Sequence, residues 1–328
     1  MVENKLVGGR KTYTRQQKRL VFYVLMFALP LLQFLLFYLY VNFSSISIAF
    51  QQKTILEGQN GFEITPTLDH FKEAFKYFFG SECGKMIGNS LQLLACQLII
   101  VMPLALLFSY YIAKERPGAS FFRAMLYLPQ VISLVVLGIL FKYVANEVVP
   151  FVAEEYFEKE VIGLLTVKGN TNETRFYTAM VFTLWFSFGA NVLIYTGAMS
   201  GIDQSIVESA QLDGVTNLQE FWYIYVPMIF STITTFILTG IAGIFNNQMN
   251  LYTFYGYDSE GVDVFGYYFY KETAKQLAAS AASPKLATEA AFAEIAELAA
   301  LGLIATLILV PTTLIVRKLL NKYGPKAE

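Results

Sequence analysis

Side chains able to bind a ligand or do chemistry are sparse along this 328-residue chain, and they gather in two places. One is a set of polar and aromatic groups within long apolar runs: Trp185, Asn191 and Tyr195 in one run, Asn246, Asn247 and Gln248 at the end of the next. Amides are costly in apolar surroundings and usually face a bundle interior. There they can meet a ligand or hydrogen-bond helix to helix, and both readings stay open. The other place is the polar stretch "ESAQLDGVTNLQEFWYIYVP", Glu208 to Pro227, lodged between two apolar runs. Catalytic constellations are missing. The single histidine, His70, has no second ligand nearby and reads as a solvated surface residue. Cys83 and Cys96 read as unpaired, and no metal-ligand cluster or G-x-x-x-x-G-K-[ST] phosphate loop occurs. No catalytic residue, metal or bound cofactor is expected.

These groups must be positioned by a membrane bundle. Hydrophobic residues make up 55% of the chain and charged ones 15%, with mean hydropathy +0.47. An ordinary soluble domain carries about 25% charged residues. The net charge of −1 argues against a nucleic-acid partner. A helix needs roughly 20 apolar residues to cross the hydrocarbon core. Six stretches reach that length, at about 20–41, 86–113, 122–143, 177–199, 227–247 and 298–320. They predict an all-α, polytopic protein with six transmembrane helices. Pro30, Pro103, Pro129 and Pro311 fall inside these runs, where neighbouring helices can satisfy the freed carbonyls. The first run is too long for a cleaved leader and no small-residue cleavage site follows it.

Lysine and arginine set the orientation. Lys5, Arg10, Lys11, Arg15, Lys18 and Arg19 precede the first run. Lys114, Arg116 and Arg123 lie between the second and third, and Arg317, Lys318, Lys322 and Lys326 lie at the end. Both termini are therefore cytoplasmic, with residues 1–19 a basic N-terminal segment, 20–320 the transmembrane domain and 321–328 a tail. The outer segment "TLDHFKEAFKYFF" reads as an amphipathic helix with Leu68, Phe71, Phe75 and Phe78 on its apolar face. The alanine-rich stretch from Lys271 to Ala300 reads as helix, proline break, helix.

The cytoplasmic loop 200–226 breaks the basic pattern, with Asp203, Glu208, Asp213 and Glu220 but no lysine or arginine. Asp203 can cap a helix whose one face holds Ile202, Ile206 and Ala210. Gly214 can end that helix in the left-handed conformation. Thr216 or Asn217 can cap a second, and Asn217 with Glu220 has capping-box spacing. Leu218, Phe221, Trp222 and Tyr225 then form one apolar face. A loop lying on the anionic inner leaflet would be basic. This one is acidic, which favours docking to a cytoplasmic partner that offers an apolar groove and a positive charge.

The pattern E-S-A-x-x-D-G followed by F-W-x-I-x-V-P resembles the EAA motif of binding-protein-dependent ABC importer permeases. Glu208, Ala210, Asp213, Gly214, Phe221, Ile224 and Pro227 match at the family's spacing; Ser209, Val215 and Val226 are small or conservative departures, and Asp203 stands where proline is frequent. "RAMLYLPQVISLVVLGILFKYV" and "LGLIATLILVPTTLIVRKLLNKYG" resemble the third and last spans of carbohydrate permeases of the maltose and glycerol-3-phosphate type. The resemblance implies the type I ABC importer transmembrane fold in a prokaryotic cell membrane. It implies ATPase coupling through Glu208, Ser209, Ala210, Asp213, Gly214, Phe221, Ile224 and Pro227. It further implies a second homologous permease subunit in a heterodimer, a cytoplasmic ABC ATPase dimer that uses the ATP, an extracellular substrate-binding protein, and a sugar or oligosaccharide as substrate. Trp185, Asn191, Tyr195, Asn246, Asn247 and Gln248 become candidates for the sugar pathway. A non-sugar ABC permease is the alternative within the family. A secondary transporter is the rival outside it, and would need an ionisable group well inside a span.

Overall fold

The computed structural model describes residues 15–55, 62–259, 261–282 and 289–325. Lys5, Arg10, Lys11, Lys326 and the expected proline break at Pro284 lie outside the described residues. The described residues are mostly helical. Helix α1 covers Arg19–Ile48 and begins its first turn at Arg15. An antiparallel hairpin follows, β1 Gln51–Ile55 with β2 Phe62–Pro66, pairing Gln51 with Pro66. Next come α2 Asp69–Phe78, α3 Ser81–Ala113, α4 Ala119–Val131, α5 Leu134–Phe157 and α6 Asn172–Ser200. The cytoplasmic loop holds α7 Gln204–Leu212 and leads into α8 Asn217–Met228 and α9 Phe230–Ala242. Short α10 Leu251–Tyr255, α11 Phe265–Ala282 and α12 Glu289–Tyr323 complete the chain.

Among the described residues, six segments are long and apolar enough to cross a membrane if α8 and α9, bent by 68°, count as one. Two expected spans are corrected. The 122–143 run is two helices, because Ile132 and Ser133 are extended (ψ 143 and 127) and split α4 from α5. The break falls after Pro129, which itself stays inside α4. The 227–247 run bends at Ile229 and ends its helix at Ala242.

Of the described helices that widen to a π-turn, three do so over Gln97–Val101, Val144–Val148 and Phe221–Tyr225. Each is centred four residues before a proline, namely Pro103, Pro150 and Pro227. Proline lacks the N–H that its i−4 carbonyl needs and its ring crowds that carbonyl. Widening the turn around this carbonyl relieves both faults without a full kink. The π-turn at Phe34–Tyr40 has no such proline after it.

The helices around the site are joined by close approach. Gly189 on α6 lets the backbone of α4 come so near that a Cβ there would stand 2.2 Å from the Leu126 carbonyl oxygen. The buried Ser109 hydroxyl of α3 donates to the Val192 carbonyl of α6 at 2.9 Å. On the outer side α2 buries His70, Ala74 and Phe78. This corrects the expected face, since Leu68 and Phe75 are exposed. It also corrects the solvated reading of His70, whose Nε2 donates to the Gln51 carbonyl at 3.2 Å beneath the hairpin.

Candidate functional site

The cytoplasmic loop is a pair of capped helices. Asp203 accepts the Ser205 N–H at 2.9 Å, which starts α7 and holds the carboxyl below its usual range. Gly214 has φ +79 and open space around it, so its backbone conformation, not crowding, calls for glycine. Of the two caps the sequence offers, Thr216 is the one used, and the capping box pairs it with Gln219 in place of Asn217 with Glu220. Thr216 accepts the Gln219 N–H, and Gln219 Oε1 accepts the Thr216 N–H at 3.0 Å.

That pairing frees Glu220 to turn inward. Its carboxylate is buried, 1% exposed, and accepts from Lys114 Nζ at 2.7 Å; Gln211 Nε2 donates to the second oxygen at 3.4 Å. Arg116 Nη2 donates to Asn217 Oδ1 at 2.8 Å, and the Tyr110 hydroxyl to the Asn217 carbonyl at 3.1 Å. The basic α3–α4 loop thus neutralises part of the acidic one. Phe221 and Tyr225 complete the junction, their rings 5.4 and 4.9 Å from Tyr110. The expected apolar face is therefore divided. Phe221 and Tyr225 are buried against α3, whereas Leu218 and Trp222 point away from the protein.

The motif residues divide likewise. Phe221 is buried, and Ala210, Ile224 and Pro227 are half-buried. Glu208, Ser209, Asp213 and Gly214 are exposed. Leu212, 89% exposed, stands beside them. Glu208 lines a hollow of about 460 Å³ with Lys114, Ser200 and Gln211. What results is a protruding element with acidic and apolar groups outward, fastened to the bundle from behind.

A second site lies among the spans. A cavity of about 230 Å³ is lined by Ser90 and Gln97 of α3, Asn191 of α6, Phe236 and Thr239 of α9, and Asn247. It brings together two of the six expected pathway residues, Asn191 and Asn247. Trp185 is 48% exposed on the outside of α6, and Tyr195 is buried against Phe236 at 4.9 Å. Asn246 and Gln248 do not line the cavity. Gln97 escaped the sequence reading although it is an amide inside an apolar run, the same signal that singled out Asn191. No charged side chain lines the cavity, so its chemistry is neutral hydrogen bonding.

Known proteins resemble this chain along most of its length. The arabinooligosaccharides transport system permease protein AraP of Bacillus subtilis (strain 168) is 24% identical over 210 residues, 63% of each chain. The multiple sugar-binding transport system permease protein MsmF of Streptococcus mutans is 25% identical over 231 residues, 69% of this chain and 71% of the relative. The polygalacturonan/rhamnogalacturonan transport system permease protein YteP of Bacillus subtilis (strain 168) is 27% identical over 229 residues, 67% of each. The alignment with AraP thus spans under two thirds of that protein's length. In structure, the chain superposes with TM-score 0.71 on a chain of a bacterial alginate ABC transporter in complex with an alginate pentasaccharide-bound periplasmic protein. The match has 20% identity and covers 95% of this chain and 98% of that one. Residues 87–325 match the model of the binding-protein-dependent transport system inner membrane component family, and this multi-pass membrane chain belongs to that family.

Proposed function

We propose that the chain is one permease half of an ATP-driven importer of sugars or oligosaccharides. The observation that carries this reading is the α7–α8 loop: two capped helices that present Glu208 and Leu212 outward while Lys114–Glu220 and Phe221 fasten them to the bundle. A cytoplasmic ABC ATPase dimer docks there, and its ATP-driven closure moves the loop and the spans behind it. The chain itself binds no cofactor and catalyses no reaction. A solute delivered by an extracellular binding protein passes the amide-lined cavity by alternating access. Glu208, Ser209, Ala210, Asp213, Gly214, Phe221, Ile224 and Pro227 form the coupling element, and Asn191 and Asn247 contact the solute. The transport-system names of the relatives support a sugar.

A second, homologous permease subunit is implied by α1. No residue of its long apolar stretch is buried, so the stretch is available to a neighbouring half. The test is to purify the complex through a tag on the C-terminal tail, identify the subunits, and measure saccharide uptake in liposomes. An ATPase, a second permease and ATP-dependent uptake are expected. A chain that purifies alone and transports without ATP refutes the reading in favour of a secondary transporter.

A further inference from the structure

One face of α9 is exposed but polar. Its exposed positions are Ser231, Thr235, Thr239 and Ala242, spaced by three and four residues and so forming a single stripe. Exposed positions of α1 are instead large and apolar, such as Leu25, Leu29 and Phe37, as contact with lipid tails or with another apolar helix requires. Hydroxyl groups do not favour a lipid-facing stripe, and they mark an interior or aqueous surface. Opposite them the cytoplasmic end of α12 brings Thr313, Arg317 and Asn321. Between the two helices lies a crevice of about 710 Å³ that holds Ser231, Thr234, Thr235 and Thr239. Thr239 also lines the amide cavity, so crevice and cavity meet at that residue.

Thr234 is the independent sign that something occupies the crevice. In a helix surrounded by apolar groups a threonine hydroxyl normally returns to the i−4 carbonyl, as Thr235 does to Ser231 at 2.9 Å and Thr313 to Leu309 at 2.8 Å. Thr234 is 8% exposed and lines the crevice, yet its Oγ1 has no hydrogen-bond partner. A buried hydroxyl left unpaired is unfavourable. The crevice has one cation, Arg317, towards the cytoplasmic end and no acid. We infer that this crevice is the cytoplasm-side segment of the translocation route for a neutral, polyhydroxylated solute, with Thr234, Thr235 and Thr239 exchanging hydrogen bonds with it. The inference rests on the permease reading above and extends it past the amide cavity. Hydroxyl-to-hydroxyl exchange is weak at each step, which lets a solute leave as readily as it enters.

The test uses the intact importer in nanodiscs, with Cys83 and Cys96 replaced by serine and single cysteines placed at Thr235, Thr239 or, as a lipid-facing control, Leu307. The probe is the membrane-impermeant thiol reagent 2-sulfonatoethyl methanethiosulfonate. Labelling at Thr235→Cys and Thr239→Cys is expected without nucleotide, and it should fall by at least about tenfold when ATP and vanadate make the inward-open state a minor one. No labelling in either state, with ATP-dependent uptake intact, overturns the inference and identifies the stripe as a seam sealed against the second permease half. Equal labelling in both states, or labelling at Leu307→Cys as fast as at Thr235→Cys, also overturns it. Thr234→Val keeps the side chain's shape and removes the unpaired hydroxyl, so a purely structural role predicts unchanged uptake and a raised Tm. A solute contact predicts uptake of neutral arabino-oligosaccharides reduced several-fold with ATPase activity retained. A native importer that takes up no neutral oligosaccharide refutes the solute class together with the reading beneath it.

Discussion

Replacing Lys114 by methionine tests whether the coupling loop is fastened by charge. Methionine keeps the length and apolar stem of lysine and removes only the cation. Glu220 would then keep its 1%-exposed carboxylate with neutral partners alone, Gln211 at 3.4 Å and the Tyr110 hydroxyl. Removing one partner of a buried pair costs about 3–5 kcal/mol, because the remaining charge stays desolvated. Lys114 is itself 13% exposed, so solvent screens the pair little. The full range therefore applies, and Lys114→Met should lower the stability of the purified complex by about 3–5 kcal/mol. Lys114→Met combined with Glu220→Leu removes both charges and should recover most of that loss, since an apolar pair of similar volume is neutral or stabilising. The assay is a double-mutant cycle on thermal unfolding, run beside ATP hydrolysed per solute imported. Stability should return in the double variant, while the ATP-to-solute ratio stays raised wherever the loop slips on α3. A single variant costing under about 1 kcal/mol, the value of an exposed pair, would refute the claim that the junction is a desolvated latch.

Further outcomes follow from the same geometry. Glu208→Lys reverses the exposed charge and should abolish uptake with the chain still in the membrane; normal uptake sinks the docking role. Gly189→Ala drives a methyl into the Leu126 carbonyl and should cost about 1–3 kcal/mol. Gly197→Ala on the same helix meets nothing within 4 Å and should stabilise by about 0.5–1 kcal/mol; thermal melts of the two variants should therefore shift in opposite directions. Asn191→Leu removes an amide from the cavity and should lower uptake without changing ATPase assembly, as uptake and pull-down assays will read.

What the sequence could and could not disclose follows from the range of the forces involved. Hydropathy is a local sum, so the apolar centres of the helices Asn172–Ser200 and Phe292–Tyr323 were legible, while their first five or six residues were not. The split at Ile132 and Ser133 was not, because nothing in "LPQVISLV" breaks a helix more strongly than Pro129, which the helix tolerates. The loop's helices were legible from Asp203 and Gly214, whose capping chemistry is local. The register of the second cap was not. Thr216–Gln219 and Asn217–Glu220 both have the spacing, and the choice is made by Lys114, 106 residues earlier in the chain. His70 was misread for a similar reason: the hairpin that covers it forms from two five-residue strands without strong patterning.

The charges on the cytoplasmic face close the argument about a partner. Lys114 is paired with Glu220, and Arg116 hydrogen-bonds the neutral Asn217 side chain, so the α3–α4 loop holds its lysine inside the junction. Glu208 and Asp213 stay exposed, and among the described residues neither forms an ion pair. An acidic surface beside the anionic inner leaflet is repelled by it, so the lipid is a poor occupant for this face. Leu212, Leu218 and Trp222 add exposed apolar area to the same element, which water does not favour either. A proteinaceous cleft with an apolar floor and a basic rim satisfies both groups at once. Pairing Lys114 with Glu220 leaves Glu208 and Asp213 without an ion pair among the described residues, and that is the demand the proposed ATPase would meet.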